Sequence, residues 1–190
     1  MERFDDRIVP SATNAFLQTN LVADQPGMAL VTDPKLINPW GIATNPTGGA
    51  FWVSDNGTGV TSLYQGDVGG SAFIATAGLP SVTGLGSPTG QVFNGTTDFV
   101  VSSGASSGPA VFLFASEDGS ITAWNPSVPI PAPSTKAQVV VPASTAVFKG
   151  IAIANNSIGS KTGNFLYAAD FHGGVIDVFD KNFRLMRRQG

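Results

Sequence analysis

The chain repeats itself, and that limits its possible folds more than any other feature. The stretches "PWGIATNPTGGAFWVSDNGTGVTSLY" (Pro39 to Tyr64) and "FKGIAIANNSIGSKTGNFLYAADFHGGVIDVF" (Phe148 to Phe179) carry the same signals in the same order. Each opens on Gly-Ile-Ala, at Gly41 and at Gly150. Each passes through a turn-rich gap into an apolar run ending in aspartate, Asp55 or Asp170. Each then places a valine five residues on, Val60 or Val175, and alternates outward to an aromatic, Tyr64 or Phe179. A partial third copy, "VFLFASEDGSITAWN", has Ser116 at the aspartate position and Ile121 five residues later. Its opening strand is "GQVFNG", which keeps only the glycine, Gly90. Units of this kind cannot bury an apolar face alone, so the pattern implies stacking of similar modules.

Each unit reads as strand, turn, strand, tight turn, strand. "FWVSD" and "FLYAAD" are apolar and rich in β-formers. "NGTG", "EDGS" and "FHGG" have hairpin length and carry glycine. "VTSLY", "ITAWN" and "VIDVF" alternate with period two. No stretch sustains a helical period. The stretch from Phe93 to Phe114 supplies a further strand pair around a Ser/Gly loop, and a strand is expected at Val139 to Val141. Pro126, Pro129, Pro131 and Pro133 exclude a central strand between Asn125 and Lys136.

The 23 glycines and 13 prolines among 190 residues fit an all-β chain full of turns. Charged residues make up 12%, and Lys35 is the only basic residue between Ile8 and Thr135. That span would repel phosphate backbones, which argues against nucleic-acid binding. The absence of cysteine excludes disulfides and thiolate metal sites. No apolar run reaches the ~18–20 residues of a membrane span, and the charged start shows no signal peptide.

The equivalent positions Asp55, Ser116 and Asp170 lie 61 and then 54 residues apart. Four-stranded propeller blades take roughly 40–50 residues. The chain is therefore expected to be all-β, with about three blades of a β-propeller, a partial ring. Residues 1–20 read as a leader-like or disordered segment, 21–183 as the partial propeller and 184–190 as a divergent basic tail. Open flanks of a partial ring would allow self-association through blade edges.

The order Gly-Ile-Ala, Asp, Gly, Val-to-aromatic resembles NHL-type six-bladed propellers. The segments Leu21 to Asp67 and Phe148 to Phe183 are most similar to a family of exported bacterial propeller proteins of unknown function, some with carboxy-terminal sorting signals. The resemblance implies an extracellular or cell-envelope location and a chain truncated before its ring closes. "FDDRIVPSATNAF" looks like a short segment near the start of many large secreted planctomycete proteins.

Three kinds of site are worth weighing. Asp170 and His172, the only histidine, could form a catalytic dyad. No nucleophile elbow accompanies them, and Asp55 repeats the aspartate without the histidine. The simpler role for the repeated aspartate is a bend residue that accepts backbone N–H bonds. A calcium or other divalent site is the second kind. Asp55, Glu117 and Asp170 are its candidates, with Asn38, Asn94 and Asp118 as further oxygen donors near strand ends. The third is an aromatic surface of Trp40, Trp52 and Trp124, which read better as packing between blades. Gly41, Asp55, Val60, Gly150, Asp170 and Val175 are the structural positions of the repeat.

Without a catalytic constellation, the favoured function is a scaffold that binds a protein or glycan and needs no cofactor. The alternative is a metal-dependent lactone or ester hydrolase of the gluconolactonase-like propeller class.

Overall fold

The computed structural model describes residues 18–66, 71–76 and 78–189. The expected leader-like segment therefore lies largely outside the described residues. Among these, the chain is all-β, in several sheets, none of which closes on itself.

Two short strands, β1 (Val22–Ala23) and β2 (Val31–Thr32), pair in parallel ahead of the first repeat. The first sheet follows: β3 (Pro39–Thr44), β4 (Phe51–Asp55), β5 (Val60–Gln65) and β6 (Ile74–Ala75). A short β7 (Ser81–Val82) pairs with the other half of β5. The second sheet opens on β8 (Pro88–Phe93). A hairpin of β9 (Val100–Ser103) and β10 (Ser106–Pro109) interrupts it. It resumes with β11 (Phe112–Ser116), β12 (Ile121–Trp124) and β13 (Gln138–Val141). The third sheet is β14 (Phe148–Ile158), β15 (Lys161–Asp170), β16 (Val175–Phe179) and β17 (Leu185–Gln189). The basic end, set apart from the repeat on sequence, thus supplies a fourth strand.

The period of the repeat has a local cause. Four residues turn each second strand into the third, which sets the five-residue spacing from Asp55 to Val60 and from Asp170 to Val175. Gly59 and Gly174 close those turns at φ 68° and 63°, where a side chain would be strained. The register slips at the same place in each of the three larger sheets. Pro39, Pro88 and Phe148 pair with Asp55, Ser116 and Asp170, and the ladder then gains a residue or shifts before resuming. The irregularity falls at or beside Gly41, Gly90 and Gly150.

These glycines bring the first strands together. A Cβ on Gly41 would lie 2.5 Å from the Thr89 carbonyl oxygen, and one on Gly90 would lie 2.7 Å from the Gly150 Cα. No side chain fits such gaps, so β3 lies on β8, and β8 on β14. The Gln91 side-chain amide bonds the Gly41 carbonyl at 2.8 Å, and Thr89 Oγ1 donates to the Phe148 carbonyl at 2.8 Å.

Strand alternation divides the apolar residues between two layers. Trp52 and Leu63 of the first sheet pack against Phe112, Phe114 and Trp124 of the second. Trp52 stacks on Phe112 with centroids 4.2 Å apart and lies 4.7 Å from Trp124. The opposite face of β11 and β12, with Leu113, Ala115, Ile121 and Ala123, packs against Phe148, Leu166, Ala168 and Phe179 of the third sheet.

Candidate functional site

The loops at one end of the three sheets meet in a chain of polar side chains. Asn38, just before β3, takes φ 52°, a left-handed conformation that asparagine tolerates better than most residues. Its carbonyl accepts from the Asn56 N–H at 3.2 Å, and the Ile37 carbonyl accepts from Gly57 at 3.0 Å. These bonds fasten the entry to β3 onto the turn after β4. Asn38 Nδ2 then donates to Asn56 Oδ1 at 3.1 Å, and Asn56 Nδ2 donates to Glu117 Oε2 at 2.9 Å. Glu117, in the turn after β11, forms an ion pair with Lys149 of β14. The Lys149 ammonium lies 4.6 Å from the centre of the Trp40 ring, on β3. One network therefore links all three sheets. The Lys149 ammonium and the Asn56 amide hold the Glu117 carboxyl below its usual range, despite some opposing burial. Glu117 is thus paired with the ammonium that lies over the Trp40 ring.

Sequence had marked Glu117 as a candidate metal ligand and Asn38 as a further oxygen donor near a strand end, and had not marked Lys149 at all. A signal was present: Trp40 and Lys149 each precede the repeated glycine, so they occupy the same position in their units. Trp40 departs from the packing role expected of it. It is 47% exposed, against 5% for Trp52 and for Trp124.

The other candidates are dispersed. Asp170 Oδ1 accepts from the Val147 N–H at 2.9 Å and the Gly173 N–H at 3.0 Å. Burial alone would raise its pKa, but the backbone bonds from Val147, Gly173 and His172 outweigh that and lower it. His172 lies exposed in the turn. Asp55 behaves otherwise, although the repeat makes it equivalent. It is wholly buried; Oδ2 accepts from Ser62 Oγ at 2.6 Å, while Oδ1 has no partner. Burial, helped by the nearby Asp33, pushes its pKa up to about 7 against the pull of Ser62 and Lys35. Asp118 caps its own turn, accepting from the Ser120 N–H and hydroxyl at 2.9 and 2.6 Å. Asn94 does similar work at Thr96 and also donates to the Asp98 and Ala110 carbonyls. Among the described residues, no three His, Cys, Asp or Glu side chains gather where one ion could bind. Asp55, Glu117 and Asp170 therefore do not form a common metal centre there.

Two relatives resemble the chain, the uncharacterized proteins R648 and L690 of Acanthamoeba polyphaga mimivirus. Each is 32% identical over 164 residues, which is 86% of this chain but 38% and 41% of the relatives themselves. The chain thus spans about two fifths of the length of the curated relatives it matches. No family model matches it, and no solved structure matches it. These relatives are viral, whereas the resemblance noted above points to exported bacterial proteins. No helix among the described residues is long and apolar enough to cross a membrane.

Proposed function

We propose that the three successive larger sheets are consecutive blades of a β-propeller of NHL-like type, and that this propeller is an exported binding scaffold. The blade reading draws on the repeated meander, the repeated irregularity, and the side-by-side first strands. The ligand is a protein or glycan held at the loop end where Asn38, Trp40, Asn56, Glu117 and Lys149 meet.

The observation that carries this reading is the network joining Asn38, Asn56, Glu117 and Lys149 beside the exposed Trp40 ring. Three successive sheets contribute to it, as expected of a platform assembled from propeller loops. A half-exposed indole beside amide, carboxylate and ammonium groups suits a glycan, whose rings stack on aromatics while their hydroxyls exchange hydrogen bonds.

A glycan array, followed by titration monitored through tryptophan fluorescence, tests the proposal. Trp40→Ala and Glu117→Gln should each weaken binding at least about tenfold, a loss of ~1.4 kcal/mol. Binding indifferent to both changes would refute the site. Turnover of a lactone or ester that Asp170→Ala abolishes would replace it with the hydrolase reading.

A further inference from the structure

The turns after β4, β11 and β15 are fastened to the starts of their sheets by the same main-chain bond. The Asn56 N–H donates to the Asn38 carbonyl at 3.2 Å, the Glu117 N–H to Ser87 at 3.1 Å and the Phe171 N–H to Val147 at 2.9 Å. In the second and third sheets the side chain at the repeat position adds another tie. Ser116 Oγ accepts the Ser87 N–H at 2.9 Å, and Asp170 Oδ1 accepts the Val147 N–H at 2.9 Å. The first sheet departs from this pattern. Asp55 Oδ1 has no partner, and Asn38 is turned to φ 52°, a left-handed angle that neither Ser87 nor Val147 takes.

The carboxyl that makes no tie is also the one sealed away. Asp55 is wholly buried, and Ser62 Oγ meets it only at Oδ2. Residues 33–38, ahead of β3, reach the same face. Ser62 and Tyr64 alternate onto one side of β5, and the Tyr64 hydroxyl donates to Asp33 Oδ2 at 2.7 Å. Thr58 Oγ1 donates to the Lys35 carbonyl at 2.6 Å, and the Gly57 N–H to the Ile37 carbonyl at 3.0 Å. The charged and titratable groups around Asp55 are Asp33 and Lys35 of this segment and Tyr64 of β5. Asp33 repels an ionised Asp55, and Lys35, whose ammonium bonds Ser81 Oγ at 2.9 Å, offsets part of that. Burial keeps the Tyr64 phenol protonated. With the segment closed, an ionised Asp55 would hold a bare oxygen away from water, which is costly. Lifting the segment hydrates that oxygen and takes Asp33 away from it.

We propose that Asp55 is a proton-operated latch on the entry to β3: protonated, it lets residues 33–38 stay closed on the turn after β4, and ionised, it releases them. The closed state holds a proton that the open state gives up, so opening grows as pH rises toward about 7 and levels off above it. Release undoes the Asn38 end of the network that runs through Asn56 to Glu117. The latch rests on the contacts just given; its consequence for a ligand rests on the binding-platform reading above.

Amide hydrogen exchange, followed residue by residue by NMR from pH 5 to 8 and corrected for the ordinary base-catalysed rise, tests the latch without any ligand. The Asn56 and Gly57 amides should lose protection by about tenfold per pH unit up to pH 7, the linkage of one proton, and then level off. The Glu117 and Phe171 amides are fastened the same way, beside Ser116 and beside an Asp170 that its backbone partners keep ionised, and should hold their protection. Asp55→Asn should keep the Asn56 and Gly57 amides protected at every pH. Flat protection in the wild type, a parallel loss at Glu117 and Phe171, which marks global unfolding, or an unchanged pH dependence in Asp55→Asn would overturn the latch. If the variant does not fold, the wild-type comparison of the three turns still decides. Exchange as expected, with no glycan bound at any pH, would leave the latch standing and sink the platform.

Discussion

Gly90 faces Gly150 so closely that a Cβ on the former would lie 2.7 Å from the Cα of the latter. Both atoms belong to main chain or its immediate branch, so neither can swing aside. Gly90→Ala should therefore destabilise the chain by ~1–3 kcal/mol, the usual cost of overpacking. Gly41→Ala should do the same, because its Cβ would strike the Thr89 carbonyl. Urea denaturation of both variants checks this, and unchanged midpoints would mean that the first strands do not touch.

Asp170 and His172 should separate cleanly. The aspartate holds the Val147 and Gly173 N–H groups, so Asp170→Ala should cost ~1–3 kcal/mol. His172→Ala, at an exposed turn position, should leave the melting temperature within error of wild type. Equal, large losses from both would restore a functional pairing of the two.

Asp55 should make stability depend on pH in an unusual direction. Its folded pKa, about 7, lies above the ordinary aspartate value of 3.8. The folded chain then holds a proton that the unfolded chain releases, so this group's contribution falls as pH rises between roughly 4 and 7. Asp170, Glu117, Asp118 and Asp180 are shifted downward, so their contributions are lost only as pH falls through the acid range. Asp55→Asn keeps an acceptor for Ser62 without the buried charge. It should raise the melting temperature at pH 8 and flatten the profile between pH 5 and 8. A variant less stable than wild type at pH 8 would show that the carboxylate has a partner when ionised.

Trp52→Ala should be the most damaging of these single changes. It removes the ring that stacks on Phe112 and abuts Trp124 between the first two sheets. Aromatic-to-alanine changes in cores cost ~3–5 kcal/mol. Trp124→Ala should approach this loss, since its indole also donates to the Ser134 carbonyl at 2.8 Å. Calorimetry of the two variants tests the ranking, and a Trp52→Ala melt within a degree or so of wild type would contradict the packing.

Lys149→Ala should leave stability nearly unchanged, because a partly exposed ion pair contributes only ~0–1 kcal/mol. Its effect should appear instead in Trp40 fluorescence, since the ammonium no longer lies over the ring. An unchanged spectrum would place the lysine elsewhere in solution.

The repeat alone determined the second and third strands of each unit and the tight turns between them. Period-two alternation and turn glycines are local properties, so "FWVSD" and "VTSLY" declare themselves without knowledge of their neighbours. The prolines after Asn125 declare the break before β13 for the same reason. Tertiary structure decided what the repeated residues do. Gly41 and Gly90 stand in sequence only as marks of the repeat, yet their lack of a side chain is needed by the next sheet, a distant partner. Asp55 and Asp170 share one sequence position, but Asp170 meets backbone N–H groups while Asp55 is sealed beside Ser62 and Asp33. Their opposite pKa shifts follow from desolvation and partners, which depend on what packs over each carboxyl. The network of Asn38, Asn56, Glu117 and Lys149 was out of reach for the same reason. It draws on segments up to 111 residues apart in the chain, and only the stacking of three first strands brings them to one place.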